Sequence, residues 1–107
     1  MEKILSVLQD AESLLLETPA VLLPRDHKAF GVLTAVMLYK KQRVLHANES
    51  VYALYLTDTE LVFYTYEETP PPRSKFTEVC VPRSELEAIG EKIVAFCEAF
   101  DVPENRT

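Results

Sequence analysis

The hydrophobic positions of residues 2–17 recur every three or four residues, which is the spacing of one face of a helix. The stripe consists of Ile4, Leu8, Ala11 and Leu15. The opposite side is polar, so we predict an amphipathic helix that packs one face on the core. Thr18 and Pro19 are typical of a helix start, and Pro24 limits the next helical segment to about one turn, which predicts a short helical connector.

A second apolar segment, residues 27–47, is hydrophobic on almost every side at its centre. With Asp26 as its N-cap, this segment predicts a long central helix. Several of its residues are β-branched, and periodicity alone does not separate helix from strand in a short apolar run, so a strand within residues 29–46 is the alternative. Cations suit the negative end of a helix dipole, which predicts a solvated helix end at Lys40, Lys41 and Arg43.

Residues 51–68 contain two runs of β-branched and aromatic residues around a polar turn, which is the pattern of a β-hairpin. If Leu56 faces Leu61, antiparallel pairing continues until Tyr52 faces Thr65. One side of the hairpin is then a core surface, formed by Tyr52, Leu54, Leu56, Leu61 and Phe63. The other side carries Val51, Ala53, Tyr55, Val62, Tyr64 and Tyr66.

Residues 75–81 predict a third strand that pairs with the second, Phe76 lying opposite Tyr66. This register adds three residues to the tyrosine side of the sheet, namely Phe76, Glu78 and Cys80. The preceding loop contains Pro70, Pro71, Pro72 and Arg73. Such a segment favours polyproline II and can dock in aromatic grooves. It lacks P-x-x-P spacing and joins strands whose registers agree, so we interpret it as a stiff loop that contributes to a binding rim.

The chain after Pro82 predicts a last helix, because Ser84 and Glu87 form a capping-box pattern. Its buried stripe is Leu86, Ile89, Ile93, Phe96, Cys97 and Phe100. Its polar side carries carboxylates at spacings of four and seven, namely Glu87, Glu91 and Glu98. The elements together predict an α+β fold of order ααβββα, in which two N-terminal helices precede a three-stranded antiparallel meander and a C-terminal helix. We expect one globular domain over residues 1–101 and a flexible polar tail over 102–107.

Composition and charge narrow the classes of partner. The 107 residues are 48% hydrophobic and 26% charged, which is enough for one domain with one core. An excess of 17 acidic over 11 basic residues gives a net charge of −6. This charge repels phosphate backbones and anionic membranes, so we expect neither nucleic acid nor membrane as a direct partner, and it favours a partner protein with a basic surface. The apolar run at the N-terminus is interrupted by carboxylates, unlike a signal peptide or membrane span, which favours a cytoplasmic protein.

Residues that could carry catalysis are few. Cys80 and Cys97 form no metal-ligand pattern and predict reduced core thiols. His27 and His46 lie at opposite ends of the second predicted helix, too far apart to share a metal or a proton. No phosphate-binding, hydrolase or metalloprotease motif is present. We therefore expect no catalytic residue, metal or cofactor. Glu78 is predicted to lie beside the tyrosines on a partly apolar face, where a raised pKa would suit a general base. The competing interpretation is a structural hydrogen bond between Glu78 and a tyrosine.

These residues support three function hypotheses. The first is a non-enzymatic protein-binding module of the inhibitor, adaptor or chaperone type, with contacts from Tyr55, Tyr64, Tyr66, Pro71, Pro72, Arg73 and Phe76. The second is a small enzyme or ligand-binding domain with a pocket formed by Glu78, the tyrosines and His46. The third is an acidic mimic of nucleic acid that acts through Glu87, Glu91 and Glu98. A helix that covers the tyrosines would weaken the first hypothesis, and a homodimer is the simplest way to hide an uncovered face.

Overall fold

The computed structural model describes residues 2–17, 22–68 and 75–101, with side chains described as far as residue 97. Within these ranges the elements are α1 (Glu2–Glu17), α2 (Lys28–Lys41), β1 (Glu49–Leu56), β2 (Glu60–Glu67), β3 (Lys75–Pro82), α3 (Arg83–Ala88) and α4 (Gly90–Asp101). The predicted α+β architecture of order ααβββα is confirmed, with the C-terminal helix divided into α3 and α4. Residues 18–21 of the predicted connector, the proline loop and the tail at 102–107 lie outside the described residues. Leu22 and Leu23, the described residues of the connector, are not helical, so that part of the prediction was wrong.

The sheet has the order β1-β2-β3 with antiparallel neighbours, as a meander requires. The predicted pairing of β2 with β3 is confirmed, since Tyr66 lies opposite Phe76. The hairpin register is confirmed from Leu56 opposite Leu61 back to Ala53 opposite Tyr64. The alternation of apolar and polar residues on two faces was therefore sufficient to align most of the sheet.

A β-bulge at Tyr52 changes the first part of β1. Thr65 pairs with Val51 and not with Tyr52, so one residue of β1 is left over. An extra residue reverses the facing of the residues before it relative to a regular strand. Val51 is accordingly buried, whereas 38% of Tyr52 is exposed. The prediction that Tyr52 belongs to the core side and Val51 to the other side was wrong for this reason.

The second helix is α-helical, and the alternative of a strand within residues 29–46 is wrong. Its bounds also differ from the prediction: His27, not Asp26, is the N-cap, and its Nδ1 accepts a hydrogen bond of 3.0 Å from the Ala29 amide. The helix ends where Gln42 adopts a left-handed conformation with φ of 61° and its N–H donates to the Met37 carbonyl. The chain beyond residue 42 is thereby free to turn back towards β1.

Two helices replace the single predicted C-terminal helix. β3 runs directly into α3, Pro82 is the N-cap position, and no side chain caps the helix, so the capping box of Ser84 and Glu87 was wrong. Ser84 is already inside the helix. The break falls at Ile89, immediately before Gly90, a residue that weakens a helix interior because of its backbone freedom.

One hydrophobic core joins the inner side of the sheet to the helices. α2 contributes the most to it, being buried along nearly its whole circumference at Ala29, Phe30, Val32, Leu33, Ala35, Val36 and Met37. The sheet contributes Val51, Leu54, Leu61, Phe63, Val79 and Val81. Full burial of a side chain such as Phe63 stabilises the fold by about 1.5–3 kcal/mol, so this side of the sheet is committed to stability.

The free edge of β1 is partly covered by the chain itself. The Glu12 carboxylate on α1 accepts a hydrogen bond of 3.0 Å from the Leu56 amide, and the Leu23 amide donates to the Val51 carbonyl at 2.9 Å. Such contacts satisfy backbone groups that an exposed edge strand would offer to another chain. At these two positions the edge of β1 is therefore closed to the addition of another strand.

Candidate functional site

The tyrosine face is the side of the sheet that points away from the core, and we define it by Tyr52, Tyr55, Tyr64, Tyr66, Phe76, Glu78 and Cys80. Its rings reach solvent: 43% of Tyr55 and 64% of Phe76 are exposed. The part of the chain that the structure describes thus leaves this face uncovered. The alternative that a helix covers it does not hold for these residues. Large apolar rings left together at a surface are unusual and mark contact sites.

The rings of the tyrosine face form one continuous cluster. The Tyr64 ring is central, with centroids 6.0 Å from Tyr52 and 6.2 Å from Tyr55. Phe76 extends the cluster, lying 6.0 Å from Tyr52 in an edge-to-face arrangement and 5.0 Å from Tyr66. Aromatic pairs at these distances support each other's orientation. Each ring of the cluster is therefore positioned by a neighbouring ring as well as by its strand.

Glu78 is attached to this cluster by one hydrogen bond. The Tyr64 hydroxyl donates to its Oε2 at 2.7 Å. The bond to the Glu78 carboxylate raises the pKa of Tyr64 above its ordinary value of 10, because it favours the protonated phenol. Glu78 itself is exposed, and its Oε1 makes no hydrogen bond to the described residues. The structural hydrogen bond considered from the sequence is therefore present, and the described residues leave the second oxygen of the carboxylate available.

Cys80 lies on the same face and is held as a thiol. Its Sγ donates a hydrogen bond of 3.0 Å to Oε1 of Glu60, and this bond is the main cause that raises the pKa of Cys80 above 9. Since the thiolate is the reactive form, the contact disfavours nucleophilic chemistry. Cys80 is exposed, so its prediction as a core thiol was wrong, because an outward strand position carries it. Cys97 is half-buried.

A second polar cluster, at the opposite end of β1 from the hairpin turn, was not predicted. Glu49 is only 1% exposed. The Arg43 guanidinium donates to both of its carboxylate oxygens, from Nη1 to Oε1 at 2.9 Å and from Nη2 to Oε2 at 3.1 Å. The His46 amide donates to Oε1 at 3.0 Å. Arg43 is therefore part of a buried ion pair and not of a solvated helix end. The prediction was wrong for Arg43 because the chain turns back after Gln42, whereas Lys40 and Lys41 are exposed in the last turn of α2, as predicted.

Burial alone would raise the pKa of the Glu49 carboxyl, but its hydrogen bonds outweigh that effect. The bonds from Arg43 and the His46 amide, the nearby Thr65 hydroxyl and the Arg43 charge lower the pKa to about 2. Arg25 completes the cluster by donating from Nη2 to the carbonyl oxygens of His46 and Ala47, at 2.9 and 2.7 Å. The cluster fixes the loop that leads into β1, which is a structural role.

The described residues do not bring His46 to Glu78, as the hypothesis of a pocket there requires. The His46 ring contacts Glu67, whose Oε2 lies 3.1 Å from its Nδ1, and not Glu78. Glu67 is three positions beyond Tyr64 along β2, or roughly 10 Å. Glu78 is exposed on an open face. The tyrosines and Glu78 come together as predicted, but as a surface without His46.

The structure describes only some of the other predicted contact residues, those of the acidic helix and the proline loop. Glu87 on α3 and Glu91 in the first turn of α4 are exposed, but the break at Ile89 separates them, so the single-helix spacing no longer relates them. The Glu98 side chain and the proline-loop residues Pro71, Pro72 and Arg73 lie outside the described residues. An acidic contact surface and a proline rim remain predictions.

Comparison with known proteins assigns no family: no family model matches the chain, and neither a curated protein nor a solved structure is found to be similar. In the described ranges, no three or more His, Cys, Asp or Glu residues are grouped so that they could hold a metal ion. Their helices include none with the length and apolar character needed to cross a membrane. The exposed aromatic surface is therefore the feature from which function has to be argued.

Proposed function

We propose that the chain is a non-enzymatic protein-binding module of the cytoplasm whose contact surface is the tyrosine face. One observation carries the proposal: the rings of Tyr52, Tyr55, Tyr64 and Phe76 form a continuous cluster on the side of the sheet that the described helices leave open. Tyrosine and phenylalanine are enriched in protein interfaces, where they supply large contact areas. We propose that this module acts as an inhibitor, an adaptor or a chaperone of the protein that it binds.

The order within the cluster favours binding energetically. Each ring already contacts a neighbour, so binding freezes fewer side-chain rotations than it would for isolated rings. Hot spots of protein interfaces are aromatic residues near the centre of the contact, and Tyr64 has that position here. We therefore assign the central anchor to Tyr64 and the flanking contacts to Tyr55 and Phe76.

The size of the face indicates that a partner also contacts its rim. Three strands of eight residues present a surface of roughly 14 Å by 26 Å, about half of the ~800 Å² that each partner contributes to a standard interface. Pro71, Pro72 and Arg73, in the loop between β2 and β3, are the residues that we propose for this rim. A partner that uses only the rings would bind weakly and transiently.

The test compares two tyrosine variants of the immobilised protein. A Tyr55→Ser, Tyr64→Ser double variant removes two rings of the face, and Tyr39→Ser removes an exposed tyrosine on α2. A protein partner of the face is retained by the wild type and by Tyr39→Ser but not by the double variant. In calorimetry with the identified partner, we expect the double variant to bind at least about thirtyfold more weakly, since the loss of even one hot-spot ring costs about 2 kcal/mol or more.

Circular dichroism of both variants confirms that the fold is intact. The proposal is contradicted if both variants lose every partner. It is also contradicted if neither variant loses a partner. Light-scattering mass at several concentrations identifies the case in which a second copy of the chain occupies the face, because the wild type is then a dimer and the double variant a monomer.

A further inference from the structure

The tyrosine face carries negative charge within its aromatic surface. The outward positions of the three strands include two carboxylates, Glu60 and Glu78, and in the described part of the chain none of these positions is a lysine or an arginine. Lys40 is near enough to lower the pKa of Cys80, but its Nζ lies 2.9 Å from Glu85, its own partner. The charge of the face is thus not neutralised by an outward cation of the sheet.

The arrangement of Glu78 and Tyr64 suits a guanidinium group. Tyr64 holds Oε2 of Glu78 at 2.7 Å, while Oε1 has no hydrogen bond to the described residues. A planar guanidinium can donate two hydrogen bonds to a carboxylate and stack on an adjacent aromatic ring. A lysine ammonium is a compact point charge and cannot make both contacts equally well.

We infer that the partner is a protein whose contact segment bears arginine, with a guanidinium stacked on the ring of Tyr64 and hydrogen-bonded to Glu78. This inference rests on the proposed function and specifies the chemistry of its partner. The net charge of −6 supports it, because a cationic segment approaches an acidic protein faster and is retained more selectively.

The same charges argue against a second copy as the occupant. Packing two tyrosine faces together would place Glu60 and Glu78 of both copies in one interface with no outward cation of the sheet to pair with them. Both carboxylates accept a hydrogen bond, from Tyr64 and from Cys80, but desolvated negative charges that no cation neutralises oppose association. A cationic partner removes this obstacle, whereas a second copy doubles it.

The test is a titration of the isotope-labelled full chain, followed by NMR, with short capped peptides that alternate threonine with arginine, lysine or glutamate. We expect the arginine peptide to shift the amide signals of Tyr55, Tyr64 and Glu78, and to bind at least about threefold more tightly than the lysine peptide. The glutamate peptide should cause no shifts. Added salt should weaken binding of the arginine peptide.

Two matched variants localise the effect. Glu78→Gln should weaken binding of the arginine peptide at least about fivefold, because it replaces a charge-assisted hydrogen bond. Glu87→Gln removes the same charge from an exposed position of α3 and should leave binding unchanged. Both residues are exposed, and unchanged spectra away from the substituted residue confirm that each variant is folded.

Several results would overturn the inference. Equal loss in both variants, or equal affinity for the arginine and lysine peptides, would mean that the peptide responds only to the overall charge. Shifts of the tyrosine face that depend on protein concentration without peptide would assign the face to a second copy. If the peptides do not bind but the tyrosine double variant still loses a protein partner, the inference fails and the proposed function stands. If that partner is also missing, both fail.

Discussion

Glu49 and Glu78 lie on the two outer strands of one sheet, yet their surroundings are opposite. Glu49 points into the protein, is 1% exposed, and is bound by both branches of Arg43 and by the His46 amide. Glu78 points to solvent and, within the part of the chain that the structure describes, accepts one hydrogen bond, from the Tyr64 hydroxyl. The first carboxylate has its hydrogen-bonding capacity used within the chain. The second has an oxygen, Oε1, to which none of the described residues donates.

The difference shows how one residue type can serve either the fold or recognition. A charge removed from water has to be paired, so the Glu49 cluster is a closed unit in which each partner depends on the other. An exposed carboxylate carries little of that constraint, and its free hydrogen-bonding capacity costs the fold almost nothing. Recognition is therefore expected at Glu78, and stability at Glu49.

The bulge at Tyr52 is the structural cause of this division. In a regular strand whose Leu54 points inward, Tyr52 would also point inward, and Val51 and Glu49 would point to solvent. The extra residue reverses that order, so Glu49 is buried beside Arg43 and Tyr52 joins the tyrosine face. One irregularity thus produces the buried ion pair and enlarges the aromatic surface.

The largest effect that would separate the two carboxylates is on stability. Glu49→Ala leaves the Arg43 guanidinium without its partner and the His46 amide without its acceptor. We expect a loss of about 2–4 kcal/mol in the free energy of unfolding, somewhat less than for a fully buried pair because 33% of the Arg43 side chain is exposed. Urea denaturation measures it. Glu78→Ala should change this free energy by less than about 1 kcal/mol, and equal losses would show that the two sites do not differ as argued.

A smaller effect is expected from acid. Because the pKa of Glu49 in the folded state, about 2, is below its ordinary value of 4.5, its charge stabilises the fold fully above pH 4.5. This contribution is lost as the pH falls from 4.5 to about 2, and at about 1.4 kcal/mol per pH unit it is at most about 3.5 kcal/mol. Urea denaturation across this range should show a shallower decline for Glu49→Gln than for the wild type. The same decline in both would assign acid sensitivity to other carboxylates.

The sequence was sufficient for the order of the elements and for the part of the tyrosine face that lies on β2 and β3, because alternation along these strands is regular and their register follows from it. It was not sufficient for the polar cluster. Arg43 and Glu49 meet only because α2 ends at Lys41 and β1 contains a bulge. Neither feature is marked in the sequence by a glycine or a proline. A left-handed Gln42 and a tyrosine at the bulge are decided by tertiary packing, which a local pattern does not contain.

The bulge itself gives the last and smallest of these stability effects, since Val51 and Tyr52 are neighbours that face opposite regions. Val51→Ala removes fully buried methyl groups and should cost about 1–2 kcal/mol, whereas Tyr52→Ala removes a ring that is 38% exposed and should cost under about 1 kcal/mol. Thermal and urea denaturation of the pair measure the difference. A regular strand predicts the reverse order, because Tyr52 would then be in the core and Val51 at the surface. If Tyr52→Ala lowers the free energy of unfolding more than Val51→Ala does, β1 is regular at Tyr52. Glu49 would then point to solvent, and Tyr52 would not belong to the tyrosine face.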